Sequence, residues 1–278
     1  MKILITGDKG FIGRHLRQSL ISDGHIVLGI DINNENDRYN IRDINENIIL
    51  NVDRIVHLAA LADVRASMKD PNKWYETNVS YSVNLFRLAA KYKVPVVYAS
   101  SSTVKEWWKS PYGTSKKVME DMSRVYGRSV GLRFSNVYCD GARGSMLLPK
   151  LLSGQLQYCT NHIRDFVHVD DVVNAIKLFL NMDNFERLNK LVYQVGTGKG
   201  VKISDLVKKY GFDVPVKDGD VSEMADNTAD IAELSKLGWT AKQDLDKYLK
   251  RKLNGNTKFK DYIQGLLSKI TRFWSNWY

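Results

Sequence analysis

Signals for export, membrane insertion or structural metal binding are scarce in this sequence. Only two of its 278 residues are cysteines, too few for a disulfide framework, and neither Cys139 nor Cys159 lies in a CxxC or Cys/His ligand spacing. The chain has no run of 18 or more apolar residues, and its first residues reach glycine and charge before a secretory segment could form. We therefore expect a cytoplasmic protein with no structural or catalytic metal and no membrane association.

A formal net charge of +10 and a pI near 9.4 favour anionic partners, among them dinucleotides, sugar nucleotides, nucleic acid and membrane surfaces. Much of the excess lies near the C-terminus, at Lys247, Lys250, Arg251, Lys252, Lys258 and Lys260. No aromatic-rich RNA-binding motif or zinc finger accompanies these residues, so a solvated basic surface is expected and nucleic acid is not. The tail 245–278 ends in aromatic residues (Phe273, Trp274, Trp277, Tyr278), which favour packing on the body or a second subunit over a membrane-surface helix.

Short apolar runs alternate with longer amphipathic segments in the first half, a pattern typical of βαβ units. The predicted strands are 2–6, 26–31, 54–58, 94–100 and 129–134, and the predicted helices are 10–22, 74–92 and 112–126. This pattern predicts an α/β fold with a Rossmann-like, doubly wound parallel sheet. After Tyr138 the elements become smaller, so we expect a dinucleotide-binding domain over 1–138, with later segments at about 164–200 interleaved. A smaller substrate-binding lobe with a helical tail is expected over 139–278.

Three glycines, Gly7, Gly10 and Gly13, follow the first strand and open the first helix. Glycine permits a tight turn and a close approach of main-chain N–H groups to a pyrophosphate, and the helix N-terminus adds partial positive charge. The second predicted strand ends in Asp31, whose carboxylate can accept hydrogen bonds from a ribose and would repel a 2′-phosphate. These residues predict a dinucleotide site that prefers NAD to NADP.

The array TGxxGFIG at 6–13 resembles the opening of extended short-chain dehydrogenases/reductases, specifically the NAD-dependent epimerase/dehydratase family that includes UDP-glucose 4-epimerases. His57-Leu58-Ala59-Ala60 resembles the HxAA segment of that family, and Asn78 its structural and cofactor-contacting asparagine. Asn40-Ile41 stands where the family usually has Asp-Ile reading the adenine. The resemblance implies NAD binding by Gly7, Gly10, Phe11, Ile12, Gly13, Asp31, Asn33, Asn40, Ile41, Leu58, Ala59, Ala60, Asn78, Tyr112 and Lys116.

Tyr112 and Lys116 form a YxxxK spacing that places both side chains on one helix face. A free phenol titrates near pH 10, and a neighbouring ammonium would bring its pKa toward neutrality, although the spacing alone is common on helix surfaces. The preceding predicted strand ends in serines, and ligands of open parallel sheets sit just beyond such strand ends. Counting back from Val104, Ser101 resembles the family's catalytic serine or threonine. The expected catalytic residues are therefore Ser101, Tyr112 and Lys116.

The segment between serine and tyrosine, 102–111, is much shorter than the family's usual two dozen residues. Trp107 and Trp108 lie in it, and both a sugar-stacking role and an ordinary packing role are open for them. Because this segment faces substrate in the family, the shortening leaves the reaction type and the identity of the sugar open.

Motifs on the substrate side continue the resemblance. The segment 133–138 resembles RxxNVYG, with Asn136 expected to contact substrate, and Cys139, in place of the usual glycine, is interpreted as a packing residue. The segment 164–171 resembles RDFVHVDD, in which the Arg164 guanidinium suits a diphosphate, His168 is structural and Asp170 is expected to cap a helix over 172–181. Lys217 replaces arginine in the family's R-x-G-D. The implied substrate-binding residues are Ser101, Asn136, Arg164 and Lys217.

The resemblance implies 4-epimerisation of a nucleoside-diphosphate sugar through a 4-keto intermediate. A 4,6-dehydratase is less favoured, because that branch resembles Thr-Asp-Glu at the catalytic strand end and this chain has Ser101-Ser102-Thr103. Reductase or decarboxylase chemistry stays open, since a fold does not fix a reaction, as does a non-catalytic dinucleotide- or nucleic-acid-binding relative. The family also implies a homodimer built from the helices predicted at 74–92 and 112–126.

Overall fold

The structure, a computed structural model, describes residues 1–33, 40–182, 185 and 188–254. Within these ranges the strands are β1 (Lys2–Thr6), β2 (Ile26–Ile30), β3 (Arg54–His57), β4 (Val96–Ser101), β5 (Ser129–Phe134), β6 (Asn136–Tyr138), β7 (Cys159–Thr160), β8 (Ile163–His168), β9 (Val192–Val195), β10 (Gly200–Lys202) and β11 (Val216–Lys217). Lys258, Lys260 and the aromatic cluster of Phe273, Trp274, Trp277 and Tyr278 lie outside the described residues.

Helices alternate with the strands along the chain. They are α1 (Phe11–Ser22), α2 (Glu46–Leu50), α3 (Val64–Lys69), α4 (Pro71–Tyr75), α5 (Tyr81–Lys91), α6 (Pro111–Tyr126), α7 (Leu147–Leu152), α8 (Val169–Leu180), α9 (Ile203–Lys209), α10 (Ala232–Lys236) and α11 (Leu245–Asn254). Two short 3₁₀ segments, Ile41–Asp43 and Ser102–Lys109, and one π-helical turn, Glu76–Ser80, complete the described elements. None of the helices in the described ranges is long and apolar enough to cross a bilayer.

The main sheet has the strand order β2-β1-β3-β4-β5-β9, and all of its neighbouring strands are parallel. β1 lies between β2 and β3, so the chain reverses its direction of travel across the sheet at β1. Thr6 at the end of β1 is in register with Ile30 on one side and His57 on the other. Ligands of such sheets bind outside the strand C-termini at this reversal point. The α/β, doubly wound prediction is confirmed.

Both faces of the main sheet are covered by helices, which is why its central strands are almost continuously apolar. Ile3 and Ile5 pack with residues of α1 and α8, whereas Leu4 between them packs with residues of α5 and α6. Fully burying an aliphatic side chain of this kind stabilises a fold by roughly 1.5–3 kcal/mol. The two apolar layers hold the strand ends, and hence the site residues that follow them, in fixed positions.

A smaller lobe carries its own apolar cluster and two further sheets. Its strands have the orders β10-β8-β6 and β11-β7, with β10 antiparallel to β8. α11 buries Tyr248, Leu249 and Leu253 in this lobe, and its Lys252 pairs with Asp140 at 2.5 Å. The described part of the basic tail therefore packs against the body of the protein.

Two of the predicted helices begin more than one residue away from their predicted start. The helix predicted over 74–92 begins earlier, at Pro71, because Asp70 accepts a hydrogen bond from Lys73 N and proline suits a first helical position. The π-helical turn then interrupts this helix, and the hydrophobic periodicity of the sequence does not indicate that distortion.

The prediction that Asp170 caps a helix over 172–181 is wrong. α8 begins at Val169, and its cap is His168, whose Nδ1 accepts a hydrogen bond from Asp170 N at 3.2 Å. Asp170 instead lies in the first helical turn, where a carboxylate is stabilised by the helix dipole. The imidazole takes over the capping function because β8 runs directly into α8 without an intervening loop.

Candidate active site

The loop between β1 and α1 forms a close-fitting cradle of main-chain atoms. Gly7 has φ +77°, and a Cβ there would lie 2.7 Å from Ala59 N. A Cβ on Gly13 would lie 1.9 Å from Gly7 O, so only glycine fits. Gly10, at the N-cap of α1, has no side chain to bond the first N–H groups of the helix. Those N–H groups are therefore available for an anion outside the sheet edge.

Asp31 directly follows β2 and is held at the rim of this cradle. Its Oδ2 accepts a hydrogen bond from Lys9 N at 3.1 Å, and its Oδ1 accepts one from Asn33 N at 2.9 Å. A carboxylate fixed next to a glycine loop and a free helix N-terminus is the donor and acceptor set that an adenosine ribose and a pyrophosphate require. The residues at this edge thus fit a dinucleotide.

The other predicted cofactor residues lie at the same edge of the sheet, but Asn40 and Ile41 make contacts that the sequence did not predict. Leu58 N and Ala59 N donate to the main-chain and side-chain oxygens of Thr6, which fixes the end of β3 against that of β1. Asn40 Oδ1, by contrast, accepts from Arg42 N at 3.1 Å as a helix cap, and Ile41 is buried in the core. The described side-chain contacts of Asn40 and Ile41 are therefore structural. Phe11, Ile12 and Ala60 are partly buried.

Asn78 lies in the π-helical turn and is fully buried. Its Oδ1 accepts from Leu61 N at 2.8 Å, and its Nδ2 donates to Leu61 O at 3.0 Å and to Ser115 Oγ at 3.1 Å. The side chain thus joins the loop after β3 to the helix that carries Tyr112 and Lys116. This geometry gives Asn78 the structural part of its predicted role.

Tyr112 and Ser101 meet at the C-terminal edge of the sheet. Ser101 is the last residue of β4, and Tyr112 lies in the first turn of α6, which Ser110 caps by accepting from Gly113 N at 3.1 Å. Both side chains are buried, and Ser101 is near enough to the Tyr112 phenol to act on its pKa. The structure therefore brings the predicted serine and tyrosine together, although they come from different elements.

Burial raises the pKa of Tyr112 above its ordinary value of 10, while the nearby Ser101 side chain and the positive charge of Arg143 act to lower it. This net direction is opposite to the one expected from the YxxxK spacing. Lys116 Nζ donates to Ala99 O at 2.8 Å, and burial lowers the pKa of Lys116 to about 7. Desolvation, which periodicity cannot reveal, therefore outweighs charge pairing for both groups.

A carboxylate that the sequence analysis overlooked lies one turn beyond Lys116. Glu120 is buried, accepts hydrogen bonds from Arg133 Nε and Nη2 at 2.7 and 2.6 Å, and accepts one from Ser100 Oγ at 2.5 Å. Its negative charge opposes the fall in the pKa of Lys116. The signal was present, because residues 112, 116 and 120 repeat at intervals of four on one helix face.

Asn227 was also overlooked, since it belongs to a stretch without a recognised motif. Its Nδ2 donates to Asn136 Oδ1 at 2.6 Å and to Ser102 Oγ at 3.3 Å, and its Oδ1 accepts from Asp165 N at 2.8 Å. The predicted substrate residue Asn136 is therefore tied to the strand end that carries Ser101 and to the motif that carries Arg164.

Arg164 and Lys217 lie in the smaller lobe, near a pocket of about 240 Å³. Lys217 lines this pocket with its Nζ 4.9 Å from the centre of the Tyr158 ring. Arg164 is buried, and its guanidinium already donates to Met224 O at 2.8 Å and to Glu223 Oε2 at 3.0 Å. The arginine expected to meet a diphosphate is therefore engaged by a carboxylate of the chain itself.

Trp107 and Trp108 are 40% and 64% exposed and contact each other edge to face, with ring centres 6.0 Å apart. Their exposure argues against an ordinary core-packing role.

Cys139 is partly buried, and burial raises the pKa of its thiol, which disfavours the thiolate needed by a nucleophile.

Comparison with known proteins gives a consistent set of matches. Residues 3–196 match the family described as NAD dependent epimerase/dehydratase. A Methanocaldococcus jannaschii protein provisionally named as a UDP-glucose 4-epimerase is 31% identical, over 91% of this chain and 97% of its own.

Two solved structures are similar across almost their whole length. MoeE5 in complex with UDP-glucuronic acid and NAD has a TM-score of 0.78 at 26% identity, covering 90% of this chain and 96% of its own. The UDP-glucuronic acid 4-epimerase from Bacillus cereus, in complex with UDP-glucuronic acid and NAD, has a TM-score of 0.77 at 25% identity, covering 96% and 100%.

Proposed function

This chain belongs to the NAD-dependent epimerase/dehydratase family, and from that premise we propose that it inverts C4 of a nucleoside-diphosphate sugar. It is an enzyme, and its cofactor is NAD, which supplies reversible two-electron oxidation of a carbinol carbon. The proposal that the reaction is a 4-epimerisation rests mainly on one observation. The buried Ser101 and Tyr112 lie together at the C-terminal edge of the sheet, and the buried Lys116 Nζ donates to Ala99 O of the same strand as Ser101.

Each of these side chains has a defined task in the proposed reaction. Tyr112 removes the proton from the sugar 4-hydroxyl and later returns it, while Ser101, which lies near the phenol, bonds the same sugar oxygen. Lys116 Nζ, which donates to Ala99 O of β4, would bond the cofactor ribose and, in its protonated form, would favour the phenolate. The side chains of α6 and β4 thereby hold the oxygen and its proton in place during both halves of the reaction.

The strand end favours epimerisation over dehydration. Water elimination needs an acid and a base beside the catalytic serine, whereas Ser102 accepts a hydrogen bond from Asn227 and Thr103 donates one to Ser101. Neither position carries a carboxylate. An intermediate that cannot lose water is expected to return to the 4-hydroxy sugar on either face.

The smaller lobe supplies the substrate contacts in this proposal. Asn136 would bond the sugar, and Arg164 and Lys217 would bind the nucleoside diphosphate. We assign 1–138, with interleaved segments at about 164–200, to the NAD-binding domain and 139–278 mainly to the substrate lobe. A homodimer through α5 and α6 is part of the same proposal.

A panel of nucleotide sugars tests this function. The purified protein is incubated with NAD and, separately, with UDP-, GDP- and dTDP-sugars, and products are read by mass spectrometry and NMR. A product of unchanged mass with inverted C4 is the expected result. Loss of water, loss of carbon dioxide or net reduction would instead assign the protein to another branch of its family, and no turnover at all would contradict enzymatic use of these substrates.

The protein is expected to bind NAD more tightly than NADP, because the Asp31 carboxylate repels a 2′-phosphate. Asp31→Ala should weaken NAD affinity by roughly tenfold, the loss expected for a charge-assisted hydrogen bond. It should also reduce the preference of the protein for NAD over NADP. Calorimetric titration of both cofactors checks this, with the remote Asp23→Ala as the control. Equal or tighter NADP binding by the unaltered protein would refute the assignment of Asp31 to the ribose.

A further inference from the structure

Two arginines from different parts of the chain converge on one carboxylate in the smaller lobe. Arg65 Nε donates to Glu223 Oε1 at 2.8 Å, and Arg164 Nη2 donates to Glu223 Oε2 at 3.0 Å. Arg65 lies on α3, beside the cofactor edge of the main sheet, whereas Arg164 lies on β8. A single acidic side chain therefore bridges the two halves of the protein.

The guanidinium groups differ in how firmly they are held. Arg164 is buried, and its Nη1 also donates to Met224 O at 2.8 Å, which anchors it independently of Glu223. Arg65 is about half exposed and lines the pocket together with Tyr158 and Lys217. Glu223 itself is partly exposed, so its side chain can rotate away while the main chain next to it stays bonded to Arg164.

The other charged groups near Glu223 make weaker contacts with its carboxylate than the two arginines do. His162 Nδ1 lies 3.6 Å from Glu223 Oε2, and Asp220 Oδ2 lies 3.8 Å from Arg65 Nε. Lys109 Nζ contacts the main-chain oxygen of Glu223 at 3.4 Å and pairs with Glu106 at 2.6 Å. The two strong contacts of the carboxylate are thus the two arginines.

A diphosphate offers planar guanidinium groups the same paired acceptors as a carboxylate, with more charge. Both anions cannot occupy the arginine pair, because their negative charges would repel each other at contact distance. The pocket next to Arg65 is open to solvent and is lined by a further cation, Lys217, and by the acidic Asp218 and Asp220. An incoming diphosphate can therefore reach the pair from the pocket side.

We propose that Arg65 and Arg164 together form the clamp for the substrate's diphosphate, and that Glu223 occupies this clamp until substrate displaces it. The proposal deepens the proposed function, on which it rests, by adding Arg65 as a binding residue and Glu223 as an internal competitor. Glu223 lowers substrate affinity but keeps the buried Arg164 charge paired when no substrate is bound. A buried charge left unpaired is strongly destabilising, which gives the competitor a structural reason to exist.

The test measures binding of inorganic pyrophosphate and of UDP by calorimetry, with NAD at saturation so that the glycine loop is filled. Glu223→Gln should bind both probes about tenfold more tightly than the unaltered protein, since it keeps the shape but removes the competing charge. Glu223→Asp retains the charge and should stay near the unaltered value. Glu233→Gln, a change of the same kind on α10, whose Leu234 packs in the core of the main sheet, is the matched control. Arg65→Ala should weaken binding of both probes about tenfold.

Thermal unfolding separates competition from a purely structural role. Glu223→Gln should melt at a lower temperature than the unaltered protein, and pyrophosphate should restore the difference by pairing Arg164. Unchanged or weaker binding by Glu223→Gln, or no binding of either probe by any form, would overturn the inference. Tighter binding of pyrophosphate by Glu223→Gln together with no turnover of any nucleotide sugar would leave the clamp intact and refute the proposed function instead.

Discussion

Tyr112→Phe is expected to lower turnover by roughly a hundredfold or more, within the range of acid-base catalysis, while folding and NAD affinity stay close to those of the unaltered protein. The substitution keeps the ring and its packing and removes the oxygen that takes the proton in the proposed reaction. Because burial raises the pKa of Tyr112, the activity of the unaltered protein should increase with pH as the phenolate forms. The residual activity of the variant should lack this increase.

Steady-state turnover on the sugar that the panel identifies, with a melting curve and a NAD titration, measures this effect. Tyr193→Phe is the control, since it removes a hydroxyl from another buried tyrosine, on β9, remote from the strand ends that carry the site. Near-normal turnover for Tyr112→Phe would place the base elsewhere and refute the assignment of Ser101, Tyr112 and Lys116 as a catalytic unit.

Lys116→Met should affect activity and stability in opposite directions. Turnover and NAD affinity should each fall at least about tenfold, because in the proposed reaction the ammonium both favours the phenolate and bonds the cofactor. The free energy of unfolding should increase by about 2 kcal/mol at pH 6, because the variant no longer buries a charge whose pKa is lowered to about 7. Because Lys116 lowers the stability of the folded protein at this pH, we expect its role to be chemical rather than structural.

The difference in the free energy of unfolding between Lys116→Met and the unaltered protein should depend on pH. Below about pH 7, Lys116 is charged in both the folded and unfolded states, and the folded state bears the full cost of burial. Between about pH 7 and the ordinary lysine value of 10.5, only the unfolded state keeps the proton, so the unaltered protein becomes relatively more stable. The difference between variant and unaltered protein should therefore shrink over this interval.

Urea unfolding at several pH values, without added NAD, measures the difference. Lys117→Met is the matched control, because the neighbouring lysine is partly exposed and pairs with Asp121 on the same helix. That change should cost a few tenths of a kcal/mol and leave turnover unchanged. A Lys116→Met variant that is less stable at pH 6, or a difference that grows with pH, would contradict the buried-ammonium account.

Five of the six strands of the main sheet were predicted from the sequence, because local pattern and global fold agree there, whereas β9 was not predicted. β1 and β5 were predicted at their observed bounds, since apolar runs bounded by glycine or charge admit few alternatives. The π-helical turn and the early start of α8 could not be predicted in this way. Both depend on side-chain bonds made after folding, from Asn78 to Leu61 and Ser115 and from Asp170 N to His168.

The site was predictable where one segment carries its whole chemistry. The glycine loop and the YxxxK spacing are local, and Gly7, Gly13, Tyr112 and Lys116 lie at the predicted sheet edge. Glu223 and Asn227 were missed because their roles arise from contacts across the chain, with Arg65 and Arg164 and with Asn136. The direction of the Tyr112 pKa was missed for a related reason, because burial is a property of the folded protein.

The most direct test of the proposed 4-epimerisation follows the hydrogen atom bonded to C4 of the sugar. The protein with bound NAD is given the nucleotide sugar that the panel identifies, carrying deuterium at C4, in unlabelled water, and the product is read by NMR. The account predicts a C4-inverted sugar that retains deuterium at C4, formed without consumption of added reductant. Unchanged configuration at C4, or inversion with loss of the deuterium to water, would contradict it.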